Sequence, residues 1–179
     1  MNILLIDNND SFTRNLEHLL VGAVGKACVR IESYANLENL SLEGHDFVVV
    51  SPGPGAAEDY PGYGRVFDSG LPVLGVCLGM QLLNAHFGGT TGRLPGCVHG
   101  QAEEIEFHGE RVTVARYHSL YCTHVGRALR VTARNDQGVP MALEHESRPL
   151  LGYQFHPESF LTLEGERFVH HALRFFGLA

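Results

Sequence analysis

A chain of 179 residues with 44% hydrophobic residues supplies one sizeable core and is too short to suggest two, so a single domain over residues 1–179 is expected. The formal charge of -7 leaves no basic stripe to neutralise phosphates, which excludes a general nucleic-acid binder. No run approaches the roughly 18 to 20 apolar residues of a membrane helix, and Met1 to Asp7 has neither a basic n-region nor a long apolar core, so a cytoplasmic protein working on small molecules is expected.

In chain order, Ile3 to Ile6 reads as a strand. Asp10 or Ser11 then caps a helix whose apolar positions Phe12, Leu16, Leu19 and Leu20 fall at helical spacing until Gly22 and Gly25 end it. Cys28 to Ile31, Asp46 to Val50 and Pro72 to Val76 are further strands, the last followed by a helix from about Leu78 to Phe87 that stops at Gly88-Gly89. Near-continuous apolar strands separated by helices predict a parallel sheet covered on both faces. Ligands in such sheets bind beyond the carboxyl ends of the strands, which points to the loops Asp7 to Ser11, Ser51 to Gly55 and Cys77 to Gly79.

The second half reads as antiparallel. Glu103 to Phe107 and Arg111 to Ala115 flank a turn at His108-Gly109-Glu110; Leu129 to Ala133, Met141 to Glu144 and Gly152 to Phe155 are strands between turn residues. From about Leu163, the residues Phe168, Leu173 and Phe176 mark a final helix.

The four cysteines, Cys28, Cys77, Cys97 and Cys122, are scattered with no CxxC pair, so no disulfide framework is expected. Cys77 is placed as a nucleophile would be. In Gly75-Val76-Cys77-Leu78-Gly79 a strand meets a helix, the flanking glycines let the chain bend sharply, and the helix start puts a positive end and the Leu78 N-H beside the sulfur. The bland reading is a buried cysteine at the end of a core strand. A base is available in His156 of Gln154-Phe155-His156-Pro157-Glu158-Ser159: Pro157 stiffens the exit from the strand, and Glu158 can fold back to hold the imidazole in one tautomer. Together they make a Cys-His-Glu set. Ser51-Pro52-Gly53-Pro54-Gly55 is a rigid loop with unobstructed glycine N-H groups, suited to an oxyanion or substrate wall or simply to a tight turn; no GKS or GKT follows, so it is not a phosphate loop.

With these residues in place, GVCLGMQ, YHSL and QFHPES resemble the class I, triad-type glutamine amidotransferases. IDNNDSF, SPGPG and HG narrow the resemblance to the small subunits of anthranilate synthase and aminodeoxychorismate synthase. The motifs occur in the family's order over essentially the whole chain. The resemblance implies a flavodoxin-like three-layer sandwich with a mainly parallel central sheet and a smaller antiparallel β segment in the second half. It implies that Cys77 attacks the side-chain amide of L-glutamine and that His156 protonates the leaving ammonia and then activates water, with Glu158 orienting it. Backbone amides near Gly53 and of Leu78 would hold the oxyanion, Pro54 and Gly55 would belong to the same substrate loop, and Gln81, Ser119 and Leu120 would grip the glutamine backbone groups. The implied partner is a larger synthase subunit that aminates chorismate; no cofactor or metal is implied.

The sequence departs from the branch in three places. Met80 stands where the branch usually has histidine, a change with which activity is expected to survive; Asn9 and Arg14 stand where it often has tyrosines, which bears on the partner and not on the chemistry; and the segment from Gly100 to Tyr117 is shorter than usual. His118, Cys122 and His124 lack a fourth ligand at zinc spacing. His99 reads as a loop position, His170 and His171 as solvated helix surface, and Glu103, Glu104 and Glu106 as one exposed strand face. Two other readings stand beside the amidotransferase: a catalytically silent scaffold or regulatory subunit of the same fold, and a free-standing cysteine amide hydrolase.

Overall fold

The computed structural model describes residues 1–94 and 100–179. Cys97 and His99 lie outside the described residues, so the readings made of them are left there. The elements run β1 (Asn2–Asp7), α1 (Thr13–Val24), β2 (Cys28–Ser33), β3 (Phe47–Val50), the short α2 (Gly64–Phe67), β4 (Val73–Val76) and α3 (Leu78–His86). They continue with β5 (Thr90–Arg93), β6 (Gln101–Phe107), β7 (Glu110–Arg116), β8 (Leu120–His124), β9 (Leu129–Asn135), β10 (Pro140–His145), β11 (Leu150–Tyr153) and α4 (Glu166–Phe176).

One sheet carries nine strands in the order β2-β1-β3-β4-β11-β10-β9-β6-β7. From β2 to β11 the neighbours are parallel; from β11 to β7 they are antiparallel. β11 is therefore the seam between two kinds of sheet. A separate two-stranded antiparallel sheet pairs β5 with β8.

The parallel half is covered on both faces, as its apolar runs require. Ile3, Leu5, Phe47, Val49, Leu74 and Val76 pack with Leu16 and Leu20 of α1 and Phe168 and Leu173 of α4. The alternate residues Leu4, Ile6, Val48 and Val50 pack with Val66 and Phe67 of α2 and Leu82 and Leu83 of α3. Each such fully buried aliphatic side chain stabilises the fold by roughly 1.5–3 kcal/mol relative to leaving it in water. Three layers result: helices, sheet, helices.

Several expectations need correction. Gly22 lies inside α1, which ends only at Gly25, whose positive φ of 70° suits glycine. No side chain of the N-cap residue caps α1; instead the Asp10 carboxylate accepts the Phe12 N-H at 2.8 Å and Asp7 accepts the Thr13 hydroxyl at 2.7 Å. β2 is an edge strand with no fully buried residue, so its apolar residues have one covered side. Glu103 leaves the exposed face of Glu104 and Glu106: strand alternation puts it with Ile105 and Phe107, where it meets Arg116. His108 and Gly109, with φ of 49° and 82°, form a two-residue turn of the kind that matches hairpin twist.

Candidate active site

The bend after β4 depends on two glycines. A Cβ on Gly75 would lie 2.4 Å from the backbone of Gly79, and a Cβ on Gly79 would lie 2.4 Å from the carbonyl oxygen of Val50. Strand and helix thus approach as closely as bare backbone allows. Cys77 sits between them at φ 52° and ψ -100°, a backbone state costing roughly 1–3 kcal/mol that the surroundings must enforce. The Cys77 N-H donates to Tyr153 O on β11 at 2.7 Å, and the Cys77 carbonyl accepts from Met80 and Gln81. Helix geometry leaves the amides of Leu78 and Gly79 without an intrahelical acceptor.

Beyond the end of β11, His156 is pinned to β7. Its N-H donates to Ala115 O at 3.0 Å. The Thr162 hydroxyl donates to His156 O at 2.5 Å and accepts the Ala115 N-H at 2.9 Å. The rings of Phe12 and Tyr117 stand edge-on to the imidazole at centroid distances of 5.4 and 5.0 Å. Tyr117 itself is held by a hydroxyl contact of 3.1 Å to Ser159.

Nδ1 of His156 lies 2.6 Å from Oε1 of Glu158, both side chains being buried. That contact fixes Nδ1 as the protonated nitrogen and turns Nε2 toward the cysteine side. Nε2 itself is buried and, among the described residues, has no hydrogen-bond partner. Burial disfavours the imidazolium, but the Cys77 sulfur and the Glu158 carboxylate outweigh it and hold the His156 pKa well above the ordinary histidine range.

Two connected hollows meet at Cys77. A cavity of about 160 Å³ is lined by Gly53, Pro54, Gly55, Leu78, Gln81, Ser119 and Leu120, together with Cys77, Tyr117 and His118. Every residue expected to bind substrate is therefore in one place. The second, of about 440 Å³, has Cys77 and His156 in its wall with Asp10, Phe12 and Pro52. Gly53 must be glycine here, because a Cβ would lie 2.7 Å from both Asn8 and Leu78. Asn8 joins the two loops: its N-H donates to the Ser51 hydroxyl and its side-chain amide to Ser51 O, both at 2.9 Å.

Gln154 is a site residue that sequence reading passed over. The Leu120 carbonyl is an unambiguous acceptor, so it orients the Gln81 amide, which donates to it at 3.1 Å. The same nitrogen donates to Oε1 of Gln154 at 3.1 Å, and this turns the Gln154 N-H toward the Cys77 sulfur at 3.6 Å. Both donors of Gln81 are used inside the protein, leaving its Oε1 as the group free to accept from a ligand. Met80 does not face the cavity: it is fully buried, and its side chain occupies the space over Gly152 that a Cβ there would enter. Of the three residues weighed above as metal ligands, His118 has both nitrogens engaged, accepting from Arg116 Nε at 3.0 Å and facing Leu120 O at 2.8 Å.

Residues 4–174 match the family model of class-I glutamine amidotransferases. The chain belongs to this family. Among its relatives, the amidotransferase is 38% identical over 180 residues to anthranilate synthase component II of Haloarcula marismortui, covering 93% of this chain and 94% of that one. It is 41% identical to an aminodeoxychorismate synthase of Streptomyces griseus and 40% identical to an anthranilate synthase of Azospirillum brasilense, over 94% and 91% of this chain. The chain spans only 25% and 24% of the length of those two relatives. A solved structure from Thermoplasma acidophilum, described as a GMP synthase subunit, shares the fold, with a TM-score of 0.86 at 21% identity over 99% of this chain and 94% of that one. No helix among the described residues is long and apolar enough to cross a membrane.

Proposed function

We propose that this amidotransferase hydrolyses L-glutamine to glutamate and supplies the ammonia to a chorismate-aminating synthase subunit, forming anthranilate or aminodeoxychorismate. The observation that carries the reading is the shared cavity: the sulfur of Cys77 and the glutamine-binding candidates Gln81, Ser119 and Leu120 face one hollow. Relatives at 35–41% identity bear the names of such synthases and their components.

In this reading the Cys77 sulfur attacks the carboxamide carbon, and the oxyanion is held by the amide of Leu78 and the glycine loop at Gly53. His156, protonated on Nε2, gives that proton to the departing nitrogen, and ammonia leaves as the thioester forms. His156 then takes a proton from water as the hydroxyl adds to the thioester carbon, and glutamate departs as the sulfur is released. Glu158 keeps the imidazole oriented and its positive charge compensated throughout. Gln81 Oε1 accepts from the substrate α-ammonium group, because its amide hydrogens are already committed.

The test is glutamate release by the chain assembled with its chorismate-dependent synthase partner, alongside Cys77→Ala. Release by the parent and none by the variant supports the reading; equal release by both overturns it. Labelling of Cys77 by a glutamine-like diazo ketone separates the enzyme from a silent scaffold, which would leave the thiol inert.

A further inference from the structure

On the other side of β11 from Cys77 lies a second cluster of chemistry-bearing side chains, unconnected with the glutamine cavity. His108 projects from the β6–β7 turn, Glu144 lies on β10 and His171 on α4. Nε2 of His171 and Nε2 of His108 lie 3.6 and 3.7 Å from the same Glu144 oxygen, Oε1. One potential ligand atom from each of the three residues falls within 4.8 Å of the other two. These separations are too long for hydrogen bonds. They are close to the edge of a tetrahedron around an ion with bonds of about 2.0–2.2 Å, which is about 3.3–3.6 Å.

The partners of these residues say which atoms face inward. Tyr153 donates its hydroxyl hydrogen to Phe168 O at 3.0 Å. Having no second hydrogen, it must accept from His171 Nδ1, which lies 2.7 Å away. Nδ1 therefore carries the proton and Nε2 presents its lone pair to Glu144. A proton on Nε2 as well would draw the carboxylate into a hydrogen bond, which the 3.6 Å separation does not show. Glu144 is fixed from its other side, Oε2 accepting from Arg130 at 2.8 Å. Two electron-pair donors facing each other across such a gap, each held by a partner behind it, is the arrangement a cation completes, and an imidazole whose far nitrogen donates to an oxygen is what metal-bound histidines show.

We propose that His108 Nε2, His171 Nε2 and Glu144 Oε1 form a binding site for a divalent first-row transition metal ion, with zinc the best match to two imidazoles and one carboxylate. A cavity of about 490 Å³ lined by His108, Glu110, Arg167, His171 and Arg174 gives the ion a route in and leaves room for water as the fourth ligand. Arg167 is neutralised there by Glu110 at 2.5 Å and Glu164 at 3.5 Å. The ion would clamp three elements distant in sequence: the hairpin turn, a strand of the antiparallel half and the last helix. Through Tyr153 it would also brace the residue whose carbonyl holds the Cys77 amide.

The test is titration of metal-stripped protein with zinc, and separately with cobalt, in a Cys77→Ala background so that the active-site thiol does not compete. His108→Asn is the decisive variant, because His108 is half exposed and asparagine tolerates its positive φ. The expected result is one ion per chain with a Kd of about 10 µM or tighter, a zinc-dependent rise in Tm, and at least about tenfold weaker binding in His108→Asn. Cobalt should give the visible bands of a tetrahedral site without sulfur charge transfer, a readout of the parent protein that holds however the variant folds. Weaker or non-stoichiometric binding, sulfur ligation, or equal affinity in His108→Asn overturns the proposal.

Discussion

Gln154 donates to the sulfur of Cys77 at 3.6 Å, and its amide is oriented by Gln81, which is in turn oriented by the carbonyl of Leu120. The residue proposed to hold glutamine and the atom proposed to attack it thus belong to one polar chain. Gln154→Leu is expected to remove the donor and slow turnover by about ten- to hundredfold, the effect of losing a hydrogen bond to a charged group. It would also leave Gln81 with one acceptor fewer, so KM rises as well. The rate of Cys77 labelling by a glutamine-like electrophile checks this, and an unchanged rate would remove Gln154 from the site.

The His156–Glu158 contact has a measurable signature. Because the Cys77 sulfur and Glu158 more than offset the effect of burial on the imidazole, its proton is retained to a pH well above the ordinary range. The associated stability is complete below pH about 6.5 and is lost as pH rises through the folded-state value. Removing the anion in Glu158→Gln should shift the imidazole titration downward, as followed by NMR of the ring carbon-bound protons. An upward or null shift would refute the assignment.

His118 works in the opposite sense. Burial first, and then the neighbouring Arg116, push its pKa down from 6.5 to about 4. The unfolded chain therefore takes up a proton that the native one refuses, so this contribution is full above pH 6.5 and falls away toward pH 4. For one such group the loss is about 3 kcal/mol at most across that window. Urea melts at a series of pH values should show a shallower acid decline for His118→Gln, which keeps a donor and an acceptor without the titration.

Packing at the bend leaves no room for a methyl group. Gly75→Ala would place Cβ 2.4 Å from the Gly79 backbone, where no side-chain rotation relieves the overlap. The expected loss is at least about 3 kcal/mol, the upper part of the range for overpacked cores, or failure to accumulate as folded protein. Gly109→Ala, whose Cβ meets nothing within 4 Å among the described residues, is the contrast, its cost coming from the positive φ of 82°.

Thr162 links the two halves of the site's support. Thr162→Val keeps the shape but strands the buried N-H of Ala115, which should cost about 1–3 kcal/mol. It also frees His156 O from the hydroxyl. Denaturant unfolding measures the first effect, and kcat measures the second. A loss of stability with no change in kcat would mean that the Pro157 turn alone positions the imidazole.

Much of this architecture was legible because the parallel strands are short apolar runs bounded by chemistry: Ile3 to Ile6 before Asp7, Val48 to Val50 before Ser51, and Val73 to Val76 before Cys77. β5 and β8 were not, since Thr90-Thr91-Gly92-Arg93 has no apolar pattern and is made a strand only by pairing with residues about thirty positions away, from Leu120 to His124. Gln154 carried a signal that went unused: an amide between Tyr153 and Phe155, in a run otherwise apolar, must find partners if buried. His171 likewise lies three residues after Phe168 and four before Phe175, on or beside the inward stripe of α4, and its placement on the solvated surface followed from residue type rather than position.

The seam at β11 governs when the thiol acquires its surroundings. During synthesis a chain that has emerged only through α3 already contains the Cys77 bend, yet lacks the Tyr153 carbonyl that receives the Cys77 amide and the imidazole that faces the sulfur. Cys77 and His156 come together only when the last strand inserts beside β4, and the backbone of His156 is pinned by β7, at the far edge of the antiparallel extension, while Glu158 holds its ring. In the proposed reading, glutamine hydrolysis is thereby tied to completion of the fold, because a chain that stops after α3 lacks the imidazole assigned to serve the sulfur.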